Sequence, residues 1–354
     1  MELLFYLSSG LVLGWSLGAN DSANVFGTAV SSRMLRYGTA VWTCAILVVC
    51  GAVYGGAGAA GGLGRLGAVN ALAGSFTVCL AAAVTVAGMT RYGLPVSTTQ
   101  AIVGALVGWN VFAGEPTDAA QLRRIVATWV ACPLLGAACA AVVYWGTAKA
   151  IRLARPHMLY LDQWTRIGLW TAGAFGAYSL GANNIGNVVG AFLSANPFRD
   201  TTLLTGWTVT AQQQLFLIGG LAIAAGAVTY SRRVMETVGR SLLPLTPVAA
   251  WVVVVVHGLV LFLFSSQSLR DRLVQLGLPT IPLIPVSSSQ AVIGAVFGVA
   301  LAQGGGKALR QFNWWMLGGV VVGWVITPIA AGWLCYVTLF VVQNVFQEQV
   351  VLPG

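Results

Sequence analysis

The sequence predicts an all-α integral membrane protein of two inverted-topology repeats, with broken and half helices giving about 10–12 transmembrane elements. Three observations predict it. Hydrophobic residues make up 57% of the 354-residue chain and charged residues only 8%, against about a quarter charged in an average soluble domain. Apolar runs recur at the length of membrane crossings, about 20 residues each. Two polar motifs recur in the same order in both halves. The 44 glycines suit the close contacts and interruptions of membrane helices.

Taken in order, the first half holds a run at 3–34 interrupted by polar residues, then runs at 38–57, 70–89, 93–113 and 121–148. The second half repeats the series at 167–196, again interrupted, then 211–230, 245–265, 283–302 and 312–346. Residues 1–150 thus form the first repeat and 167–354 the second. The connection, 151–166, is polar, carries Pro156, His157 and Asp162, and is expected in the cytoplasm. The first run leads straight into a polar motif, so it reads as a spanning element rather than a cleaved leader.

The repeat is visible residue by residue. Gly18-Ala19-Asn20-Asp21-Ser22-Ala23-Asn24 pairs with Gly181-Ala182-Asn183-Asn184-Ile185-Gly186-Asn187, and Gly27 with Gly190. Leu94-Pro95-Val96-Ser97-Thr98-Thr99-Gln100 pairs with Ile284-Pro285-Val286-Ser287-Ser288-Ser289-Gln290. Chance likeness between apolar segments does not place polar residues in register twice. Five crossings per half is an odd number, so the halves should point in opposite directions. With the N-terminus outside, one face takes Arg33, Arg36, Arg91, Lys149, Arg152, Arg155, Arg166, Arg232, Arg233, Arg240, Lys307 and Arg310. The other takes only Arg65, Arg123, Arg124, Arg199, Arg270 and Arg272. The positive-inside rule puts the richer face in the cytoplasm.

Several function classes drop out. The net charge of +9 is spread in ones and twos, without the basic, aromatic-rich patches that bind nucleic acid. The cysteines, Cys44, Cys50, Cys79, Cys132, Cys139 and Cys335, lie in apolar segments without a metal spacing, so they read as packing residues. No nucleophile elbow, metal cluster or phosphate-cradling loop is present. His257 sits alone in an apolar run and reads as a packed, neutral histidine. An enzyme is not expected.

Of the nine acidic residues, Asp21 alone lies within an apolar run. A carboxylate at that depth needs a cation, a proton or a hydrogen-bond network. Asn20, Ser22 and Asn24 surround it, and Gly18 and Gly27 permit the helix to unwind. Unwound carbonyls beside a carboxylate and amides are the oxygen donors that hard cations such as sodium take. The second copy offers Asn183, Asn184 and Asn187 but no acid. The Pro-Val-Ser elements suit helix starts inside the membrane, where proline, capping hydroxyls and free amides create an end that attracts anions. Two such elements can hold a small oxyanion without a buried arginine.

The first signature, G-A-N-D-x-A-N over Gly18–Asn24, and the Pro-Val-Ser-Thr-Thr element with Gln100 resemble the inorganic phosphate transporter (PiT) family, across both halves and in the order of all four motifs. The resemblance implies a cation-coupled phosphate symporter, driven by sodium or sometimes by protons, with no further cofactor. It implies substrate contacts at Asp21, Asn24, Ser97, Thr98, Thr99, Asn187, Ser287, Ser288 and Ser289, and Asn184, where the second signature departs from the family, is expected beside them. Cation contacts fall to Asn20, Asp21, Asn183, Gln100 and Gln290. Phosphate carriers of the family usually have an aspartate where this chain has Asn184, and the family also includes sulfate carriers. Monohydrogen phosphate has a hydroxyl donor that wants an acceptor, which Asp21 supplies; sulfate only accepts and is repelled by a bare carboxylate. Phosphate is therefore the expected substrate and sulfate the alternative. An anion channel fits less well, because the polar residues form two patches rather than a continuous pore. The expected setting is the bacterial cytoplasmic membrane, with membrane lipids and a second copy of the chain as further partners and no nucleic acid.

Overall fold

A computed structural model describes residues 2–91, 96–202, 206, 208–238, 245–304 and 314–352. The first half contains α1 Glu2–Ser31, α2 Tyr37–Gly55, α3 Ala57–Gly64, α4 Leu72–Arg91, α5 Thr98–Ala113 and α6 Ala119–Ala154. The second contains α7 Met158–Val189, α8 Ala211–Val238, α9 Pro247–Ser265, α10 Gln267–Gln275, α11 Ser288–Gly304 and α12 Trp314–Asn344. A short antiparallel pair, β1 Thr201–Thr202 with β2 Thr208–Val209, precedes α8. Among the described residues seven helices are long and apolar enough to cross a membrane: α1, α2, α4, α6, α8, α9 and α12. The protein is a multi-pass membrane protein. Between the halves only Arg155–His157 are non-helical, so most of the polar connection belongs to the ends of α6 and α7. Leu94 and Pro95 of the first Pro-Val-Ser element, and Arg240, Lys307 and Arg310 of the charge pattern, lie outside the described residues.

The helices obey a two-fold pattern that swaps the halves. The four most extensive helix pairs are α1 on α8, α2 on α7, α5 on α12 and α6 on α11. Exchanging the halves turns each pair into another of the four. Atomic contacts follow the same rule. A Cβ on Gly18 would strike the Ile223 carbonyl, and one on its counterpart Gly181 would strike that of Val48. Gly226 meets the Trp15 carbonyl as Gly51 meets that of Tyr178. Gly104 and Gly108 of α5 press on Pro328 and Gly332, as Gly294 and Gly298 of α11 press on Pro133 and Ala137. Without a hydrophobic force between helices in lipid, such backbone approach supplies the packing.

Direction agrees with an inversion. Along α1, Gly10 abuts Val188 and Phe192, Asp21 meets Asn184, and Phe26 abuts Gly173. The equivalent helices α1 and α7 therefore run antiparallel, as an inverted repeat requires.

One sequence expectation is corrected. Both signature helices are continuous through Gly18–Asn24 and Gly181–Asn187 rather than unwound. The glycines there serve close approach: at Gly18 and Gly181 no side chain fits against the crossing helix. The chain is interrupted elsewhere, between α2 and α3 at Gly56 and between α9 and α10 at Ser266. The half helices are real. Helices α5 and α11 have 16 and 17 residues, too few for a full crossing of about 20. The extended segment before α11 brings the chain inward: Ile284 N–H donates to Phe264 O at the end of α9 (3.2 Å), whereas Ser288 sits beside His257, about two turns further into α9.

Candidate functional site

The site is assembled where the two half helices begin against the two signature helices. Ser97 caps α5, its Oγ accepting from Gln100 N–H at 3.4 Å. Ser287 does the same for α11, accepting from Gln290 N–H at 3.3 Å. A capped helix still leaves first-turn N–H groups directed out of its start, with a partial positive charge. Both starts are buried: Ser97, Thr98, Thr99, Ser287 and Ser288 lie within the protein, and Ser289 is half-buried.

Each signature helix reaches the other half's hydroxyl element. Asn24 Nδ2 of α1 donates to Ser288 Oγ (2.9 Å), and Asn187 Nδ2 of α7 donates to Thr99 Oγ1 (2.9 Å). Asn183 grips the segment leading into α11 as a peptide group would. Its Nδ2 donates to Val286 O (2.7 Å) and its Oδ1 accepts from Val286 N–H (2.9 Å). Thr99 Oγ1 also donates to Val286 O at 3.4 Å.

At the crossing of α1 and α7, Asn184 Nδ2 donates to Asp21 Oδ2 (3.3 Å). Asn184 Oδ1 in turn accepts from Asn183 Nδ2 (2.9 Å) and Asn187 Nδ2 (3.1 Å). The three asparagines thus form one buried network, at most 1% exposed, that ends on the carboxylate. Among the described residues Asp21 has no cationic side chain within ion-pair distance.

Two glutamines complete the picture. Gln100 and Gln290, equivalent residues in the first turns of α5 and α11, are fully buried, and neither end of either amide has a hydrogen-bond partner. Ser22 Oγ and Asn187 Oδ1 are buried and unpartnered as well. An unsatisfied buried polar group costs about 1–3 kcal/mol. Such a cost is incurred here at equivalent positions in the two halves. Asn20 is half-buried on α1.

The structure adds one residue that the sequence did not show. His257 Nε2 lies 2.9 Å from Ser288 Oγ, so it shares that hydroxyl with Asn24, while its Nδ1 is buried without a partner. A lone histidine in a valine-rich run gives no signal of this. Its position opposite Ser288 comes from the packing of α9 on α11.

A match to the phosphate transporter family covers residues 17–164, 154–280 and 273–352. The chain belongs to the phosphate transporter family. Its relatives in that family include a Pyrococcus abyssi protein named "Putative phosphate permease", 26% identical over 406 residues that cover 93% of this chain and 95% of the relative. The sulfate permease of Bacillus subtilis is 28% identical over 349 residues, covering 96% and 88% of the two chains. Among solved structures, a sodium-dependent phosphate transporter superposes with a TM-score of 0.73 at 21% identity, covering 97% of this chain and 99% of the other. That likeness is one of fold. The family and the fold are those of transporters, not of enzymes.

Proposed function

We propose that the chain takes up inorganic phosphate by symport with a cation, sodium first and the proton second, alternating access around the cluster just described. The observation that carries this reading is the pair of buried, unpartnered glutamine amides at the two half-helix starts, beside a network that ends on an unbalanced carboxylate. The half-helix ends and the Ser/Thr hydroxyls donate to the oxyanion. Asp21 either accepts the phosphate hydroxyl proton or holds the coupling cation. The cross-half bonds Asn24–Ser288 and Asn187–Thr99 are contacts that alternating access would make and break in turn. In this reading the face carrying Arg65, Arg124 and Arg270 lies outside; labelling of His157→Cys by an impermeant thiol reagent from outside would reverse this.

The test is flux in liposomes. Labelled phosphate uptake should rise with an inward sodium gradient, and sulfate should compete poorly. Uptake indifferent to sodium and to pH would remove the symport reading.

Sulfate is kept as the second substrate because of Asn184, an amide where the family's phosphate carriers usually have an acid, and because a relative of comparable identity is a sulfate permease. The two anions make different demands on that position. Asn184→Asp sets a second carboxylate against Asp21, and two like charges in a partly desolvated site repel by several kcal/mol. A further cation then has to bind with the substrate. We expect a steeper sodium dependence of uptake and a lower sulfate-to-phosphate ratio. Unchanged ion dependence and anion preference in a variant of normal thermal stability would show that Asn184 only organises its neighbours.

A further inference from the structure

Away from the signature residues, the length of α3 with Arg65 just beyond it, the first turns of α6 and α10, and the segment leading into α11 line a cavity of about 410 Å³. Three arginines line it, Arg65, Arg124 and Arg270, and none of its lining residues is acidic. Arg65 follows the end of α3, Arg124 lies on α6 and Arg270 on α10, three places far apart in sequence. None of them is in an ion pair with a described residue. Asp118, the nearest acid along α6, is committed to its cap, where Oδ1 accepts from the N–H groups of Ala120 and Gln121. Gln121 is likewise occupied, its Nε2 donating to Gly62 O at 2.7 Å.

The wall facing these charges leads to the transport site. Leu283 and Ile284 line the cavity. Two residues on, Val286 is gripped by Asn183, and the next residue caps α11. We propose that this cavity is a vestibule that binds a small inorganic oxyanion and delivers it to the site along the α11 lead-in. The inference rests on the oxyanion-transport reading and adds to it a first, weaker station. A concave surface with three arginines and no acid in its lining concentrates anions and raises their arrival rate by about 10- to 1,000-fold, and salt weakens the effect. Arginine also suits the ligand, because its planar fork matches tetrahedral oxyanions two oxygens at a time. A phospholipid headgroup presents the same phosphate chemistry, and the experiment separates the two sources.

The test uses the full-length protein in nanodiscs of phosphatidylcholine, with inorganic phosphate as the probe. Asp21→Asn, which leaves the arginines intact, should retain weak phosphate binding. Adding Arg65→Gln, Arg124→Gln and Arg270→Gln should remove that binding. All three side chains are exposed, so the protein should stay folded, and its melting temperature is measured alongside. In liposomes at low ionic strength, the triple glutamine variant of the otherwise native chain should raise KM about tenfold for substrate entering from the vestibule side, with turnover unchanged. The difference should vanish at about 1 M salt, where the screening length is about 3 Å. Arg65→Lys, Arg124→Lys and Arg270→Lys together should restore most of the effect.

The inference falls if Asp21→Asn loses all phosphate binding, if KM does not move, or if turnover drops in place of KM. It also falls if phosphatidylglycerol, added to the nanodiscs, is retained by the native arginines and displaces phosphate completely, which would make this a lipid site. A chain that carries no phosphate at all would defeat the transport reading, while the binding arm would still decide whether the vestibule exists.

Discussion

Asp21→Asn is expected to reduce coupled uptake by at least about a hundredfold while leaving the protein folded. The substitution separates charge from shape. Asparagine keeps an oxygen where Asp21 Oδ2 accepts from Asn184, so the network across α1 and α7 can persist. The negative charge is what is lost. An ion pair at about 4 Å is worth roughly 4 kcal/mol at the effective dielectric of a partly wet site, and each 1.4 kcal/mol is a factor of about ten. A coupling cation held by that charge, or a phosphate hydroxyl received by it, would lose most of its binding. The comparison is made on protein of matched expression and melting temperature. Near-native uptake by the variant would show that the carboxylate is merely accommodated, and the coupling assigned to it would have to lie elsewhere.

The second large effect concerns assembly. Gly51→Leu and Gly226→Leu should each prevent recovery of a monodisperse protein from the membrane, or lower its melting temperature sharply. Each places a branched side chain where a Cβ alone would already strike a carbonyl, that of Tyr178 in one case and Trp15 in the other. Overpacking a tight contact costs about 1–3 kcal/mol or more, and here the obstacle is backbone, which cannot turn aside. The two should be harmful to a similar degree, since they are the same contact in opposite halves. Gly146→Leu is the control: this α6 glycine has open space around it and should tolerate the change. If Gly51→Leu and Gly226→Leu behaved like Gly146→Leu, the tight crossings would not matter for stability.

These two predictions draw on what the sequence showed clearly and on what it hid. The two-half organisation was legible because Asn20-Asp21-Ser22-Ala23-Asn24 and Pro95-Val96-Ser97 each have a partner in register, and polar residues in lipid are too costly to recur by accident. The helix starts at Ser97 and Ser287 were legible for the same reason that caps are anywhere: a hydroxyl just before an apolar run has a defined task. Gly18 and Gly27 misled, because a glycine that permits unwinding and a glycine that permits a close crossing look alike until the neighbouring helix is known. Pairing between halves was hidden, since periodicity reports which face of a helix is buried but not by what. His257 and the arginine cavity were hidden by the same gap. Both depend on residues brought together across long stretches of chain, Ser288 in one case and Arg65 with Arg270 in the other.

The interlacing of the halves bears on how the chain is made. During synthesis α1 leaves the ribosome almost 200 residues before α8, its main partner, and α5 waits about as long for α12. At about 5–20 residues per second that is a delay of roughly 10–40 s. Through that interval the glycine faces of α1 and α5 lie against lipid or the insertion machinery. Insertion and final assembly are therefore separate events, and the last helix to emerge is the one that closes α5. A chain cut before Trp314 would carry both signature helices and their main partners into the membrane and still leave α5, with Thr98, Thr99 and Gln100 at its start, without the helix it packs on.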